Sequence, residues 1–356
     1  MNFCTSFFIY KYKKQLIIEK GMIKMKVGIY KTVRGGVDRF APFITEDMNL
    51  ELIGIDQIPT VETLEELKKQ GCEAMIYNSD HKESEEFFKT IADAGVKYVC
   101  CSCAGYDHFD LDAMKKYGLK GANVPAYSPN AISEHTVMLL LATLRHFKTQ
   151  IIHTEHHIYQ KAGLKGREIR NMVIGIVGAG RIGYTTMKCL SGFGPKKMLA
   201  YDPYPNDKVK ELAEYVSLDE LYKKCDVIIY HAVLNKENYH MVNEDTIQKM
   251  KDGVVLINTS RGGIFDASAI LKGVQSGKIG ALGIDVVEGE ALLDKQPQFT
   301  ECPDPVLEAL FSHENVVYTP HVAFFTDEAE RNLSQGTIEN LDSYEKTGSC
   351  DKELVK

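Results

Sequence analysis

The sequence predicts an α/β protein made of two doubly wound, parallel-sheet domains with a crevice between them. The first observation is an alternation of short β-rich runs with helix-patterned stretches over residues 27–124, which resumes from residue 173. Such an alternation gives parallel strands with helices packed on the faces of each sheet. The second observation is the length, since 356 residues exceed the usual size of a single domain.

Strands are expected wherever a short run is apolar enough to be buried on both faces of a parallel sheet. In the first half these runs are VGIY (27–30), ELIGI (51–55), AMIY (74–77), KYVCC (97–101) and GANV (121–124), with helices at 62–70, 83–94 and 111–117. In the second half they are VIGIV (173–177), MLAYD (198–202), DVIIY (226–230), VVLIN (254–258), ALGID (281–285) and NVVYT (315–319).

Two long helices are expected to connect the two halves. Ser128 is placed to cap a helix that has Pro129 at its first position and continues to about residue 146. A last helix-patterned stretch at 326–346 is expected to return to the first domain. The predicted domains are therefore residues 25–126 plus 325–356 and residues 127–324. An extension at 1–24 is predicted to be disordered, with Met22 and Met25 as alternative starts.

The composition argues against several classes of protein. A formal net charge of −7, with Lys and Arg scattered singly, argues against nucleic-acid binding. Nine cysteines without short, even spacing argue against a disulfide framework and favour the reducing cytoplasm. The apolar run near the start is broken by Lys11, Lys13 and Lys14, so neither a signal peptide nor a membrane span is expected.

A glycine-rich loop directly follows the strand at 173–177 and precedes a helix-patterned stretch. In its sequence G-A-G-R-I-G, Gly178 permits a tight turn, Gly180 lets a pyrophosphate approach the backbone, and Gly183 allows close helix packing. The next strand ends at Asp202, whose carboxylate would accept hydrogen bonds from the adenosine ribose and repel a 2′-phosphate. The sequence therefore predicts a Rossmann-like domain that binds NAD in preference to NADP.

Three chemically active side chains follow three strands of the second half: Arg261, Glu290 and His321. Open α/β sheets bind their ligands at these carboxyl ends. Reduction of a 2-oxo acid needs a proton donor for the carbonyl oxygen, and histidine has a pKa suited to this at neutral pH. A carboxylate could orient that histidine, and a guanidinium could hold the substrate carboxylate. Taken singly, each residue also fits a structural role in an ion pair, a loop or a turn. Their shared position favours a catalytic set for reduction of a 2-oxo acid by NADH.

Several segments resemble the D-2-hydroxyacid dehydrogenase family, and within it the branch of D-lactate, (R)-2-hydroxyisocaproate and phenyllactate dehydrogenases. They are NVPAYSPNAISEH (123–135), GIVGAGRIG (175–183), NTSRGG (258–263), GIDVVEGE (283–290) and TPHVAFFTDEAERN (319–332). The resemblance implies a substrate (catalytic) domain at 25–126 plus 325–356, an NAD-binding domain at 127–324 and a homodimer formed through the latter. It also implies that His321 is the acid in reduction and the base in oxidation.

Further contacts are implied by the resemblance alone. For the substrate they are the backbone amides of Ala104 and Gly105 with Arg261, and Tyr127, which closes over it, while Asn123 lies at the crevice. For NAD they are Arg181, Ile182, Asp202, Ala232, Val233, Asn238, Thr259, Ser260 and Asp285.

Two positions depart from the family's pattern. The family often has His-x-Pro after the fourth strand of the NAD-binding domain, whereas this chain has His231, Ala232 and Val233. His231 itself is compatible with a structural role or with positioning the cofactor. The branch commonly carries an arginine before the Ala-Gly loop, where this chain has Ser102 between two cysteines. With that charge lost, pyruvate, 4-methyl-2-oxopentanoate, phenylpyruvate and 2-oxoglutarate all stay open, the last requiring a second cation such as Arg34.

The side-chain specificity is expected to depend on the loops at 78–81 and 32–34, with Phe324 and Phe325 adding an apolar wall. Formate is disfavoured by Glu290, where formate-acting members of the family carry glutamine. Phosphoglycerate is disfavoured because its enzymes usually carry a further regulatory domain. An NAD-sensing, corepressor-like binding protein on the same fold is the alternative function.

Two histidine or cysteine clusters could suggest a metal. Cys100, Cys101 and Cys103 lack a second cluster at zinc-finger spacing and are expected to end a buried strand. His153 and His157 have the helical spacing of metalloprotease ligands, but the position of the required glutamate holds a threonine. Neither cluster is therefore predicted to bind a metal.

Overall fold

The computed structural model describes residues 24–79, 82–294, 296 and 300–355. The chain divides into two compact units. The first unit runs to Tyr127 and is completed by Arg331–Lys356, and the second unit is Ser128–Glu330. Apart from Lys24, the extension predicted at 1–24 lies outside the described residues.

The first unit contains a five-stranded sheet in which all strands are parallel. Its strands are β1 (Met25–Tyr30), β2 (Leu50–Ile55), β3 (Ala74–Ile76), β4 (Tyr98–Cys100) and β5 (Lys120–Ala122), in the spatial order β2-β1-β3-β4-β5. Its helices are α1 (Gly36–Phe40), α2 (Glu65–Gln70), α3 (Glu85–Asp93) and α4 (Leu111–Lys116), with a 3₁₀ turn at Ala41–Phe43.

The second unit contains a seven-stranded parallel sheet. Its strands are β6 (Val173–Val177), β7 (Lys197–Tyr201), β8 (Glu214–Tyr215), β9 (Val227–Tyr230), β10 (Val254–Asn258), β11 (Ile279–Ile284) and β12 (Val316–Tyr318). The spatial order is β12-β11-β10-β9-β6-β7-β8. Because the order reverses at β6, the carboxyl end of this strand is the switch point where such sheets bind ligands.

The helices of the second unit cover its sheet. They are α5 (Pro129–Leu144), α6 (Phe147–Glu155), α7 (Arg181–Ser191), α8 (Asp207–Lys210), α9 (Leu218–Lys224), α10 (Glu244–Lys249), α11 (Ala267–Gln275), α12 (Ala291–Asp294) and α13 (Pro305–Ser312), with 3₁₀ turns at Ile169–Asn171 and Gly262–Ile264. A last helix, α14 (Asp327–Thr347), begins in the second unit and continues into the first. None of the helices in the described part of the chain is long and apolar enough to cross a membrane.

Burial explains why the apolar runs become strands. In β1, Val27 and Ile29 are almost fully buried and pack with Ile338 and Leu341 of α14. The second unit has two core clusters. In one of them Ile174 of β6 packs with α5 and α7, and in the other different strand residues pack with α11 and α13. Runs that are apolar throughout therefore occur where helices cover both faces of a parallel sheet.

The predicted fold class is confirmed in its two parallel-sheet units, whereas the crevice stays a prediction. The connecting helix α5 begins as predicted, because the Ser128 hydroxyl accepts a hydrogen bond from the amide of Ala131 (3.3 Å) and Pro129 is the first helical residue. The strand β8 was not predicted, since two residues are too few to show a pattern. β5 ends at Ala122, two residues earlier than predicted, because the polar groups of Asn123 bond outside the sheet.

Candidate active site

The glycine-rich loop between β6 and α7 has the geometry that a dinucleotide needs. Gly178 has a φ of 90°, and a Cβ there would lie 2.5 Å from the backbone nitrogen of Ala232. A Cβ on Gly183 would lie 2.2 Å from the carbonyl oxygen of Gly178. At Gly180, which caps α7, a Cβ would meet nothing within 4 Å. The loop is closed toward the protein and open where phosphates would reach the helix amides, which begin at Arg181 and Ile182.

Asp202, at the end of β7, braces this loop. One carboxylate oxygen accepts a hydrogen bond from the amide of Ala179 (2.8 Å), and the other accepts one from the amide of Tyr204 (2.8 Å). Each carboxylate oxygen can accept more than one hydrogen bond, so the half-buried side chain can still bind ribose hydroxyls. The loop and this acid together fit the dinucleotide.

The loop after β9 carries three of the predicted NAD contacts. Ala232 packs against Gly178, and Val233 is 78 % exposed. The side-chain amide of Asn238 donates a hydrogen bond to the carbonyl of Val233 (2.7 Å) and so closes the loop. Their contacts with NAD stay predictions.

The loop after β10 carries Thr259, Ser260 and Arg261 in succession. The hydroxyl oxygens of Thr259 and Thr136 are 2.8 Å apart, and the Ser260 hydroxyl donates to the side-chain oxygen of Asn258 (2.8 Å). The side-chain amide of Asn258 in turn donates to the carbonyl of Arg261 (2.9 Å), and the guanidinium donates to the carbonyl of Ser260 (2.8 Å). This network fixes the backbone from which the guanidinium extends.

The structure brings Glu290 and His321 together. Nδ1 of His321 lies 2.7 Å from Oε1 of Glu290. Nε2 hydrogen bonds to none of the residues that the structure describes, and 45 % of the side-chain surface is exposed. Glu288, the nearby alternative, bonds to Tyr239 and His240 instead. One nitrogen of His321 is thus oriented by a carboxylate and the other is available for proton transfer.

The electrostatic surroundings suit His321 to a proton donor. Burial by itself lowers the pKa of His321, but the hydrogen bond and charge of Glu290, with a contribution from Asp285, outweigh it. The positive charge of Arg261 also lowers this pKa. The net effect raises the pKa above its ordinary value of 6.5, so the protonated imidazole persists to higher pH.

Asp285, after β11, is fully buried and organises the turn that carries His321. Its carboxylate accepts hydrogen bonds from three donors of this turn: the Thr319 hydroxyl (2.5 Å) and the amides of Val322 (3.0 Å) and Ala323 (2.9 Å). Burial by itself raises the pKa of Asp285, but these donors and His135 outweigh it, so the net shift is downward. The ionised carboxylate therefore braces the turn, while its predicted contact with NAD stays a prediction.

Two features of this turn were not predicted from the sequence. Nε2 of His135, from α5, lies 2.9 Å from the Thr319 hydroxyl and 3.3 Å from the Asp285 carboxylate. His321 has a φ of 49°, a left-handed conformation that costs a non-glycine residue about 1–2 kcal/mol. Its amide donates to the carbonyl of Asp285 (2.8 Å). His135 ends the segment NVPAYSPNAISEH, which was the available signal.

In the first unit, the loop after β4 carries the predicted substrate residues Ala104 and Gly105. Neither of their backbone amides donates a hydrogen bond to another residue in the described ranges. The buried Asn123 donates from its side-chain amide to the carbonyl of Ala104 (2.6 Å), so it braces the loop. Tyr127 is half-buried, and its carbonyl accepts a hydrogen bond from the amide of Asn332 (2.6 Å). Their contacts with the substrate stay predictions.

The structure places a guanidinium beside Ser102, where the family commonly has an arginine. Arg39 of α1 donates from Nη2 to the Ser102 hydroxyl (3.0 Å) and from Nε to the Ser334 hydroxyl (2.9 Å). The charge considered lost at position 102 is therefore restored from a residue 63 positions earlier. Arg39 occupies this place, and no local sequence signal links it to Ser102.

His231 and the pair of His153 and His157 lie in different surroundings. Nε2 of His231 lies 2.9 Å from the Thr186 hydroxyl, and burial lowers the pKa of His231 to about 3, so this imidazole is neutral. His153 lies in α6, whereas His157 follows the end of that helix and has a φ of 58°. The two side chains therefore do not share a helical face.

Known proteins resemble this chain at two levels: a family model matches most of the second unit, and individual enzymes match most of the chain. Residues 137–323 match the family model described as D-isomer specific 2-hydroxyacid dehydrogenase, NAD binding domain. The chain is 43 % identical over 273 residues to an aromatic 2-oxoacid reductase from Clostridium sporogenes, covering 76 % of this chain and 82 % of that protein. It is 36 % identical over 335 residues to a D-lactate dehydrogenase from Escherichia coli, covering 93 % and 100 %. A solved D-2-hydroxyisocaproate dehydrogenase superposes with a TM-score of 0.82 at 31 % identity, covering 93 % of this chain and 100 % of that chain.

The fold, the phosphate loop and the paired Glu290 and His321 define an NAD-dependent oxidoreductase. The chain belongs to the D-isomer specific 2-hydroxyacid dehydrogenase family. The predicted family, enzyme class and cofactor NAD are thereby confirmed, and solved relatives include NAD complexes. The corepressor-like alternative has no support among these relatives, which are named as reductases and dehydrogenases.

Proposed function

We propose that the protein reduces a small 2-oxo acid to the (R)-2-hydroxy acid with NADH, and that its catalytic residues are Arg261, Glu290 and His321. The observation that carries this proposal is the 2.7 Å contact between Glu290 and Nδ1 of His321, which leaves Nε2 available in the same unit as the phosphate loop. The (R) configuration follows the D-isomer specificity of the family.

The mechanism assigns one task to each side chain. NADH, when bound, supplies a hydride to C2 of the substrate. Arg261 binds the substrate carboxylate through its planar pair of donors and polarises the carbonyl. His321 gives its Nε2 proton to the carbonyl oxygen as the C–O π bond breaks, and Glu290 holds the ring and balances its charge. The product gains one hydride and one proton, and in oxidation Nε2 takes the proton back.

We propose that the preferred substrates are 2-oxo acids with an apolar side chain. Phe324 meets His321 edge-on, with 6.1 Å between ring centroids, and the adjacent Phe325 is 48 % exposed. Aromatic surface beside the proton donor suits a methyl, branched or phenyl group better than a second carboxylate. The Clostridium relative is named for aromatic 2-oxo acids and the Escherichia relative for lactate, which supports this class.

The test is NADH oxidation, followed by absorbance, with pyruvate, 4-methyl-2-oxopentanoate, phenylpyruvate and 2-oxoglutarate. We expect the three apolar acids to have higher kcat/KM than 2-oxoglutarate. His321→Ala should lose roughly 10²- to 10⁴-fold in kcat, the usual contribution of a general acid. NADH binding, measured by fluorescence, should persist. The exposed His157→Ala is the matched control. Turnover of no acid, or a full rate in His321→Ala, would overturn the proposal.

We further propose a cytoplasmic homodimer formed through the second unit. A short stretch of this unit exposes large apolar side chains: Met138, Phe147, Ile151, Ile152 and Tyr159. Grouped apolar surface of this kind marks protein contacts, and identical copies pair most often through one two-fold interface. The eight described cysteines are free thiols, which suits a reducing compartment. Light scattering should give the mass of a dimer. Phe147→Glu should reduce this mass, whereas the control Phe193→Glu, at another exposed position, should leave it unchanged. A parent protein with the mass of a monomer would contradict the proposed dimer.

A further inference from the structure

Three soft donor groups converge at the start of the loop after β4. The thiols of Cys101 and Cys103 and the imidazole of His108 offer ligand atoms that all lie within 4.8 Å of one another. Cys101 and His108 are buried, and Cys103 is partly exposed. The neighbouring Cys100 takes no part, because its side chain packs in a different core cluster from that of Cys101.

The chemistry of these donors selects a class of ligand. Two thiolates and an imidazole are preferred by Zn²⁺ and related thiophilic cations, whereas Mg²⁺ and Ca²⁺ prefer oxygen. Zinc bond lengths place tetrahedral sulfur and nitrogen ligands about 3.6–3.8 Å apart. The observed separations can therefore close around an ion through displacements of about 1 Å, well within the reach of side-chain rotation.

We propose that Cys101, Cys103 and His108 form a binding site for a thiophilic divalent cation of the Zn²⁺ class. Three protein ligands leave a fourth position for water, as in other three-ligand zinc sites. The ion would enter at Cys103, the most exposed of the three. Binding forms two metal–sulfur bonds and one metal–nitrogen bond, and the two thiol protons leave to solvent without any change of oxidation state.

Metal binding would alter the adjacent loop. The Cys103 thiol lies 3.1 Å from the carbonyl oxygen of Gly105, and the Cys101 thiol lies 3.8 Å from the same oxygen. A thiolate cannot donate a hydrogen bond to this carbonyl, so the loop must rearrange when the ion binds. Inhibition by the ion is the expected result. This consequence rests on the proposed function and on the predicted contact of the amides of Ala104 and Gly105 with the substrate carboxylate.

The binding test uses Co²⁺ as a spectroscopic probe on the intact, freshly reduced protein. We expect one equivalent to bind with an intense near-ultraviolet band from thiolate-to-cobalt charge transfer. Cys103→Ala and His108→Gln should each lose most of this band, and the matched control Cys100→Ala should keep it. Circular dichroism and NADH binding check that each variant is folded, and the partly exposed Cys103 is the position least tied to folding. Absence of the band in the parent, or its persistence in Cys103→Ala, would overturn the site.

The second measurement separates the site from the proposed function. Zn²⁺ should inhibit 2-oxo acid reduction by the parent, reversibly on addition of a chelator, and should inhibit Cys103→Ala at least tenfold less strongly. Co²⁺ binding without inhibition would support the metal site and contradict the assignment of Ala104 and Gly105 to the substrate. Inhibition that is equal in the parent and in Cys103→Ala would show that Zn²⁺ acts elsewhere and would count against the site.

Discussion

The hydrogen bond between Glu290 and His321 allows a quantitative test of the proposed proton donor. Glu290→Gln keeps the size of the side chain and removes its charge from a contact of 2.7 Å. A hydrogen bond to a charged group contributes about 1.5–3 kcal/mol. The two side chains are 26 % and 45 % exposed, so solvent screening places the value near the lower end. The kcat for reduction should therefore fall roughly 10- to 30-fold.

The same substitution should move the pH profile in a defined direction. The pKa of His321 is raised in the parent, and the protonated form is the active one in reduction. The kcat/KM for reduction therefore falls as pH rises through this pKa. Loss of the Glu290 charge lowers the pKa, so the falling limb should move to lower pH. The rising limb for oxidation should move with it, because the equilibrium constant fixes the ratio of the two efficiencies at every pH.

The assay follows NADH absorbance in both directions from about pH 5 to pH 9, a range that brackets ordinary histidine pKa values. Glu288→Gln is the matched control, because Glu288 bonds to Tyr239 and His240 and not to His321. Its pH limbs should stay in place. An unmoved limb in Glu290→Gln, or an equal movement in Glu288→Gln, would refute the assignment of Glu290 as the partner of the proton donor.

Three further predictions concern the supports of the site. In Asp285→Asn, the NH2 group of the new side chain must face a backbone N–H that now donates a hydrogen bond to the carboxylate. This substitution should therefore lower the free energy of unfolding by about 1–3 kcal/mol in denaturant and should lower kcat; unchanged values of both would contradict the bracing role. Gly178→Ala should lower the thermal unfolding midpoint because its Cβ meets backbone, whereas Gly180→Ala should keep the midpoint and raise the KM for NADH; equal midpoints would refute the distinction. Arg39→Ala removes two hydrogen bonds from a charged donor and should lower the midpoint by several degrees in calorimetry, at roughly 2–4 °C per kcal/mol; no change would show that these bonds add no stability.

Features encoded by adjacent residues were predictable from the sequence. The cap at Ser128, the buried strands and the glycine-rich loop each depend on neighbours a few positions apart. The pairing of Glu290 with His321 spans 31 residues, yet it could be anticipated, because both follow strands whose carboxyl ends meet at one edge of the sheet. Topology here supplied the long-range information.

Features that depend on side-chain packing between distant segments were not predictable. The contact of Arg39 with Ser102 and Ser334 joins three segments that share no pattern. The support of the Asp285 turn by His135 depends on the rotation of α5 about its axis, which the sequence does not specify. Cys101 and Cys103 were judged by zinc-finger spacing, whereas their proximity to His108 arises from the path of the loop.

The double use of Asp202 restricts how the chain could change its cofactor. The carboxylate predicted to recognise the ribose is also the acceptor for the amide of Ala179, inside the phosphate loop. A small neutral residue at this position would admit a 2′-phosphate but would leave that amide without its acceptor and the loop less ordered. Adaptation to NADP therefore requires at least two coordinated substitutions, one for recognition and one to restore the lost acceptor. A variant with only the first of these substitutions would bind both nucleotides poorly.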